Sequence, residues 1–354
     1  MWQGRELILC TLALWAGNWL GDVLSFPPLV YLLLALFFAV MSALHQPRRY
    51  LLLACFALLG AAAVQLGRMP FPHGPSSLAL WAADRKTAFS AWLGGLLPPG
   101  EEGAVLRALA IGDRAWLSRD LRSAWRQSGA LHLLALSGLH VGLIYALLSR
   151  LLAILGGSRP ARFLRSTVIL GLLWTYALIT GLGASIVRAV LMITFYEFSG
   201  FFSGDRDSLV ALFGSAFLLM VFRPEAPRDI GFQLSYTAVL SILLLHPRLK
   251  TLLQTRFRLL ARVWEMLSIS LCCQATCGVL AWLYFGTFPR YFLLTTLLAI
   301  PLTTIVMYGV AAGVAARLLA SALPSLTSVS DIVLQTLGWL LRLLNSIIHL
   351  IAGL

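Results

Sequence analysis

The segment ALHLLALSGLHVGLIYALL, residues 130–148, is a hydrophobic stretch long enough to cross a membrane. It nevertheless contains two histidines, a serine and a glycine, at His132, Ser137, Gly138 and His140. Polar side chains are costly in lipid, so those within a membrane segment face the interior of the helical bundle or a water-filled path. These four residues are therefore candidates for the lining of such a path.

The chain as a whole is hydrophobic: 59% of its 354 residues are apolar, and the mean hydropathy is +0.86. A soluble domain contains only about 45–50% apolar residues. Apolar runs recur along most of the chain, separated by short polar or proline-containing breaks. This pattern predicts an all-α, polytopic integral membrane helical bundle with about 10–11 transmembrane helices.

Three parts follow one another along the chain. They are N-terminal transmembrane helices over residues 1–66, an external amphipathic helical segment over 67–129, and a transmembrane core over 130–354. Basic loops alternate between the predicted spans, and the positive-inside rule then places the N-terminus in the cytoplasm and residues 67–129 outside. Within the core, we expect one helix over 130–155 and a discontinuous helix near Pro301.

The charge of the chain has two interpretations. Lys and Arg number 27 against 14 Asp and Glu, giving a formal charge of +13. Basic cytoplasmic loops explain such an excess, and so does a polyanionic substrate; composition alone favours the loops. Cys273 and Cys277 are one helical turn apart, but no histidine or carboxylate accompanies them. We therefore predict no metal site.

The external segment contains a basic amphipathic helix. Leu117, Leu121 and Trp125 recur every four residues, and at about 100° per residue they share one narrow apolar face. The opposite face carries Arg119, Arg122 and Arg126. One interpretation is an interfacial helix lying on the membrane. The other is an entrance that gathers phosphates on the arginines and stacks bases on tryptophan.

Other polar residues interrupt the apolar runs. Besides those quoted above, they are Arg188, Gln233, Ser235, Tyr236, Gln274 and Thr296. On a regular helix His132 and His140 would project about 80° apart, although Ser137-Gly138 could unwind the helix locally, as is tolerated where backbone lines a cavity. The alternatives are single hydrogen bonds to neighbouring helices for the histidines and snorkelling to the headgroups for Arg188.

Several motifs together resemble the ComEC competence family, the inner-membrane channel of natural transformation. The first is AVLRALAIGDRAWLSRDLRSAWRQSGALHLLALSGLHVGLI, which meets the family pattern at Gly112-Asp113 and from His132 through Val141. GLGASIVRAVLM and DIGFQLSYTAVLSILLLHP match later family segments. In FGTFPRYFLLTTLLAIPLTT, Thr296 stands where the family usually has asparagine. The similarity runs from about Ala104 to Ala316.

The resemblance implies import of single-stranded DNA across the bacterial cytoplasmic membrane, without enzymatic activity or a cofactor. It also implies a DNA-receptor protein outside and a helicase-like motor in the cytoplasm, besides the lipid bilayer. The expected pore-lining residues are His132, Ser137, Gly138, His140, Arg188, Gln233, Ser235, Tyr236, Thr296 and Pro301. The expected DNA entrance comprises Arg119, Arg122, Arg126 and Trp125.

Two departures and two alternatives accompany this interpretation. Many family members carry an OB-type domain and a metallo-β-lactamase-like domain; a short helical stretch and the absence of a His-x-His-x-Asp cluster predict a short form without them.

A carrier for a small solute or ion would also suit polar groups at the midplane. Ser137-Gly138 near His140 also prompts an intramembrane serine protease, but such an enzyme needs a base held against the serine.

Overall fold

The computed structural model describes residues 4–24, 26–44, 48–67, 77–202, 206–253, 255–286 and 292–353. The α-helices of these residues are α1 (Gly4–Val23), α2 (Pro28–Leu44), α3 (Arg48–Gly67), α4 (Ser77–Gly94), α5 (Glu101–Ile111), α6 (Arg119–Gln127), α7 (Gly138–Leu151), α8 (Arg159–Ile179), α9 (Ala184–Phe202), α10 (Ser208–Phe222), α11 (Ile230–Lys250), α12 (Arg258–Cys273), α13 (Val279–Phe285), α14 (Phe292–Ala322) and α15 (Thr327–Ala352).

Many of these helices have the length and composition of membrane spans. Eight of the described segments are long and apolar enough to cross a membrane, and two shorter apolar helices accompany them at Pro28–Ser42 and Ser208–Phe222. The prediction of an all-α, multi-pass helical membrane protein is confirmed. Helix α1, which contains Asn18 and Asp22, is not among these segments.

The helices cluster into two compact units, which differ from the three consecutive parts expected from the sequence. The first unit comprises Met1–Gly74 and Leu191–Leu243, and the second comprises Pro75–Val190 and Leu244–Leu354. Most of the predicted external segment therefore belongs to the same unit as α14 and α15. The physical reason is that α5 and α6 bury their apolar faces against these two helices.

In the first unit, glycines allow α1 and α3 to pack closely together. A Cβ atom at Gly17 would overlap the backbone of Ala57, and one at Gly60 would meet the carbonyl oxygen of Leu14. Small residues at helix contacts are typical of membrane proteins, where close van der Waals packing replaces the hydrophobic driving force. Helix α2 packs on α3, and α10 packs on α1.

The second unit has a hydrophobic core built from α5, α6, α14, α15 and the end of α4. Leu121 and Trp125 from α6 are fully buried in it, as are Leu109 from α5 and Leu341 from α15. Burial of each such side chain contributes about 1.5–3 kcal/mol where water is displaced. The core thus anchors the two short helices that precede the quoted segment.

The predicted helix over 130–155 is wrong in its first third. Residues Leu131–Leu134 form a single 3-10 turn, and α7 begins only at Gly138. Gly129 has a φ of 75°, a left-handed conformation that suits glycine and separates this turn from α6. His132 and His140 therefore lie on different elements, and the local unwinding considered for Ser137-Gly138 is the observed arrangement.

The discontinuity predicted near Pro301 is also wrong, because α14 runs unbroken through it. Proline removes one backbone hydrogen bond from a helix, but membrane helices tolerate it when neighbouring groups satisfy the backbone. The Thr304 hydroxyl donates to the carbonyl of Ile300 at 2.8 Å, in the turn that follows the proline. An irregularity lies elsewhere, in a π-helical turn at Gln274–Gly278 between α12 and α13.

Candidate functional site

The start of α7 is organised by Ser137 and His140. Ser137 has an extended backbone (φ −130°, ψ 170°), and its N–H donates to Nδ1 of His140 at 3.3 Å. The Ser137 Oγ atom lies 3.0 Å from the same nitrogen. This is a capping box in which histidine occupies the third helical position, where glutamate or glutamine is usual. The imidazole therefore fixes the point at which the helix begins.

The other imidazole nitrogen of His140 has a different environment. Because Nδ1 accepts a backbone N–H, the proton of the neutral ring is on Nε2. The side chain is fully buried, and Nε2 has no hydrogen-bond partner among the described residues. In a serine–histidine catalytic pair a carboxylate would orient this nitrogen. In the part of the chain that the structure describes, Nε2 of His140 is instead a buried donor that points away from the cap.

A tight turn at Gly112 holds the irregular backbone that precedes Ser137. Gly112 ends α5 with a φ of 70°, and a Cβ there would lie 2.9 Å from the side chain of Leu136. The Arg114 Nε–H donates to the carbonyl of Leu134 at 3.1 Å. The two halves of the first sequence motif are therefore in direct contact, although about 20 residues separate them in the chain.

Asp113 secures this turn. Its carboxylate accepts a hydrogen bond from the Ser90 hydroxyl of α4 and another from the N–H of Ala115 at 3.1 Å. Partial burial raises the pKa of Asp113, but these hydrogen bonds and the charge of Lys86 outweigh it, so the pKa lies below its ordinary value. Partial burial and the nearby Arg122 also lower the pKa of Arg114.

We predict that Asp113→Asn lowers the free energy of unfolding by about 1–2 kcal/mol at neutral pH, because a charge-assisted hydrogen bond is lost. The folded-state pKa is depressed, so this stabilisation is present above the unfolded pKa and disappears as pH falls through the folded one, below 3.8. Thermal unfolding of the detergent-solubilised protein at pH 7 and at progressively lower pH measures the difference.

Asp84→Asn is the matched control, since its pair with Arg85 is exposed at both ends. An exposed ion pair contributes about 0–1 kcal/mol, so this variant should unfold like the parent chain. Equal stability of Asp113→Asn and the parent protein at pH 7 would contradict the structural role of Asp113.

The start of α9 meets the start of α7. A Cβ at Gly138 would lie 3.7 Å from the Cβ of Ala189. In the preceding turn Leu182 adopts a φ of 54°, a strained conformation that costs a non-glycine residue about 1–2 kcal/mol. Arg188 is only 7% exposed. It is thus enclosed by protein, and both its place in the lining and the alternative of snorkelling stay predictions.

The basic face of α6 is exposed as the sequence predicts. We call Arg119, Arg122 and Arg126 the arginine face; all three side chains are exposed. Ser118 caps the helix by accepting from the N–H of Leu121 at 3.1 Å. Arg122 also donates to the carbonyl of Arg114 at 2.9 Å, which links the face to the turn at Gly112. The predicted amphipathic helix is confirmed, but protein rather than lipid covers its apolar side.

The expected stacking role of Trp125 is wrong. Its side chain is fully buried in the core of the second unit, and α6 packs against α15 there. The apolar residues that recur every four positions along α6 pack inside the protein. A nucleic-acid base could therefore reach the indole of Trp125 only if α6 left the core. Exposed aromatic rings in the same unit are Trp116 and Trp81, at 61% and 50%.

Three further candidates belong to the first unit. The Gln233 amide donates to the carbonyl of Pro227 at 2.9 Å, in the turn before α11. The buried Tyr236 hydroxyl donates to Ser215 Oγ of α10 at 3.1 Å, and Ser235 is half-buried. Two of the three side chains therefore make identifiable bonds within this unit, and their lining of a path stays a prediction.

The remaining candidates are placed as follows. His132 is exposed, and its Nδ1 lies 2.9 Å from the carbonyl oxygen of Gly129. Pro301 is inside α14, as described above. Thr296 is on the same helix, but its side chain lies outside the described residues. Among the described residues, no group of three or more histidines, cysteines or carboxylates could hold a metal ion.

Sequence reasoning missed the residues that support the start of α7. Arg114, Ser90 and Tyr176 act at the turn: the Tyr176 hydroxyl donates to the carbonyl of Ala110 at 2.8 Å. In the sequence, the Gly112-Asp113 pair stands out only as part of the family pattern. A glycine followed by an aspartate at the end of a helix indicates a left-handed cap and a side-chain acceptor, and this signal could have identified the turn.

Fold and site together define a multi-pass α-helical membrane protein with an exposed basic face on α6 and a buried histidine at the start of α7. The family model described as Competence protein matches residues 109–354. The chain therefore belongs to the competence protein family.

Individual relatives agree with this assignment. The chain is 35% identical over 149 residues to ComE operon protein 3 of Bacillus subtilis, covering 42% of this chain and 19% of that protein. It is 30% identical over 144 residues to Recombination protein 2 of Haemophilus influenzae (40% and 18%). It is 28% identical over 145 residues to Competence protein ComA of Neisseria gonorrhoeae (39% and 21%). The matched region thus spans about a fifth of these relatives. No solved structure matches the chain.

Proposed function

We propose that this chain conducts single-stranded DNA across the bacterial cytoplasmic membrane during natural transformation. The observation that carries the proposal is the competence-family match over residues 109–354, which includes the Gly112 turn, α6 and the start of α7. Relatives named as competence and recombination proteins support a role in DNA uptake. A strand of phosphates needs a hydrated, polar route, because bare charge in lipid is costly.

The start of α7 is the part of that route best supported by chemistry. Conduction requires weak and repeated contacts rather than one tight site. His140 offers a neutral N–H donor, and Ser137 and Gly138 expose irregular backbone beside it. Within the second unit we propose His132, Arg188 and Thr296 as further lining residues, because polar groups in membrane segments rarely face lipid. For the first unit, taken by itself, the corresponding proposal is Gln233, Ser235 and Tyr236.

The arginine face is our proposal for the DNA entrance. Its three guanidinium groups are exposed on a helix that the core holds in place, and arginine binds phosphate through several N–H donors. By family resemblance, a DNA-receptor protein outside would deliver the strand and a helicase-like motor in the cytoplasm would pull it.

This arrangement requires a cytoplasmic N-terminus. The basic residues in the first two turns of α8, Arg159, Arg162 and Arg165, would then lie inside, and the arginine face outside. A reporter that fluoresces only in the cytoplasm, fused at the N-terminus, should be fluorescent. A dark but stable fusion would reverse the orientation.

The function is tested with a deletion strain. We expect fluorescently labelled DNA to remain outside the cytoplasm of a strain lacking the gene, and the gene for the full chain to restore uptake. Normal uptake in the deletion strain would eliminate the DNA-conduction proposal. Binding of DNA at the cell surface, measured in parallel, separates a defect in translocation from one in capture.

A further inference from the structure

Helix α15 presents three distinct faces. At about 100° per residue, its buried residues occupy one side; they include Leu334, Leu337, Leu341, Leu344 and Ile348, which belong to the core of the second unit. The rest of the helix is exposed, and the exposed part divides into a polar and an apolar sector.

Every residue of α15 within one sector of about 60° is polar. We call these residues the polar stripe: Ser328, Asp331, Gln335, Arg342, Ser346 and His349, all of them exposed. The neighbouring exposed sector is apolar and contains Val329, Ile332, Trp339, Leu343 and Leu350. The one hydroxyl there belongs to Thr336, and it donates to the carbonyl of Ile332 within the helix.

The polar stripe is as long as a membrane is thick. From Ser328 to His349 it extends for about 32 Å along the helix axis, and the hydrocarbon core of a bilayer measures about 30 Å. Pro324–Ala352 has the length and composition of a membrane span. If α15 crosses the bilayer, polar groups therefore lie at every depth, and this sector cannot face lipid without a large cost.

Arg342 lies about two-thirds of the way along the stripe from Ser328 to His349. Its Nε atom lies 3.4 Å from Oε1 of Glu102 at the start of α5, yet the Arg342 side chain is 66% exposed. A guanidinium within a membrane helix that is paired and still accessible is typical of a group that borders water. The apolar sector beside it provides the surface that lipid can cover.

We propose that the polar stripe of α15 lines a hydrated path across the membrane and contacts the translocated DNA strand along it. This inference rests on the proposed function, and it adds a continuous wall to the separate residues named above. Hydroxyl, carboxylate, amide and imidazole groups repeat at intervals of three, four or seven residues, with one anion, Asp331, and one cation, Arg342, among them. Such spacing offers the weak, successive contacts that a moving strand needs.

Cysteine accessibility in intact membranes tests the proposal. The background is the full chain with its five cysteines replaced by alanine, first shown to support DNA uptake. Ser328→Cys, Gln335→Cys and Ser346→Cys should react with a membrane-impermeant thiol reagent about ten-fold faster than the matched Ile332→Cys, Leu343→Cys and Leu350→Cys, because reaction requires a hydrated thiolate. Incoming single-stranded DNA should slow the reaction at the three stripe positions.

Equal reactivity of the two sets would overturn the proposal. So would stripe cysteines that react only after detergent solubilisation, which would mean that lipid, a second copy or another protein covers the stripe. Reactive stripe positions that DNA does not protect would overturn the contact with the strand. Failure of the proposed function itself would give a different result. DNA uptake in the deletion strain would then be normal, whatever the pattern of cysteine labelling.

Discussion

Transformation is expected to fail when His140 is replaced by alanine, with transformant numbers falling by about two orders of magnitude or more while the protein still reaches the membrane. The alanine removes the acceptor for the Ser137 N–H and the buried Nε2 donor together. Loss of a helix cap costs about 0.5–2 kcal/mol, which lowers stability without preventing folding. Transformation frequency and immunoblots of isolated membranes measure the two effects.

His140→Gln separates the cap from the donor. Glutamine at the third helical position accepts a hydrogen bond from the N-cap N–H, so this variant should recover most of the lost stability. Its amide N–H₂ group is also a donor, but with Oε1 turned to the Ser137 N–H the flexible side chain is not held at the place of Nε2. We therefore expect transformation to remain deficient. Wild-type transformation by the glutamine variant would reduce His140 to a cap, and wild-type transformation by the alanine variant would remove it from the site.

The arginine face is expected to govern how binding depends on salt. Replacing Arg119 and Arg126 with glutamine removes two exposed cations and leaves Arg122 to hold the carbonyl of Arg114. Each phosphate contact with single-stranded DNA contributes about 0.7 to the slope of log affinity against log salt concentration. The slope should therefore become shallower by about 1.4, and DNA uptake should fall most at low salt, where the lost attraction is strongest.

Arg159→Gln with Arg162→Gln is the matched control, because it removes the same charge from exposed positions at the start of α8. Binding of labelled single-stranded DNA to the purified protein in lipid nanodiscs, measured from low to physiological salt, compares the two double variants. An unchanged slope in Arg119→Gln with Arg126→Gln, or the same change in both, would argue that α6 has no specific part in binding DNA.

Composition and the spacing of apolar residues were sufficient to predict the fold class. A run of apolar residues in lipid can satisfy the hydrogen bonds of its backbone only as a helix. They were also sufficient for α6, where the arginines recur on one side and Leu121 and Trp125 on the other. The same pattern did not reveal what covers the apolar side. Lipid and a protein core select the same residues, so Trp125 was placed at a surface it does not reach.

Helix boundaries inside apolar segments were harder to predict. Residues 130–137 are as hydrophobic as the helix that follows them, and only the contacts of Arg114 and Gly112 with Leu134 and Leu136 explain why they do not continue it. At Pro301 the local rule predicted a break, and the surrounding helices overrode it. The polar stripe of α15 was visible in the sequence, but its residues are three to seven positions apart and each one is surrounded by apolar neighbours.

The hydrogen bond from Arg114 to Leu134 also has a mechanical consequence. It closes a loop of the chain that runs from Arg114 to Leu134 and contains α6. The loop ends three residues before Ser137. Arg122 ties the same helix back to Arg114. In the proposed function, tension on the arginine face from a strand that is being pulled would be carried through these two hydrogen bonds to Leu134, close to the first turn of α7.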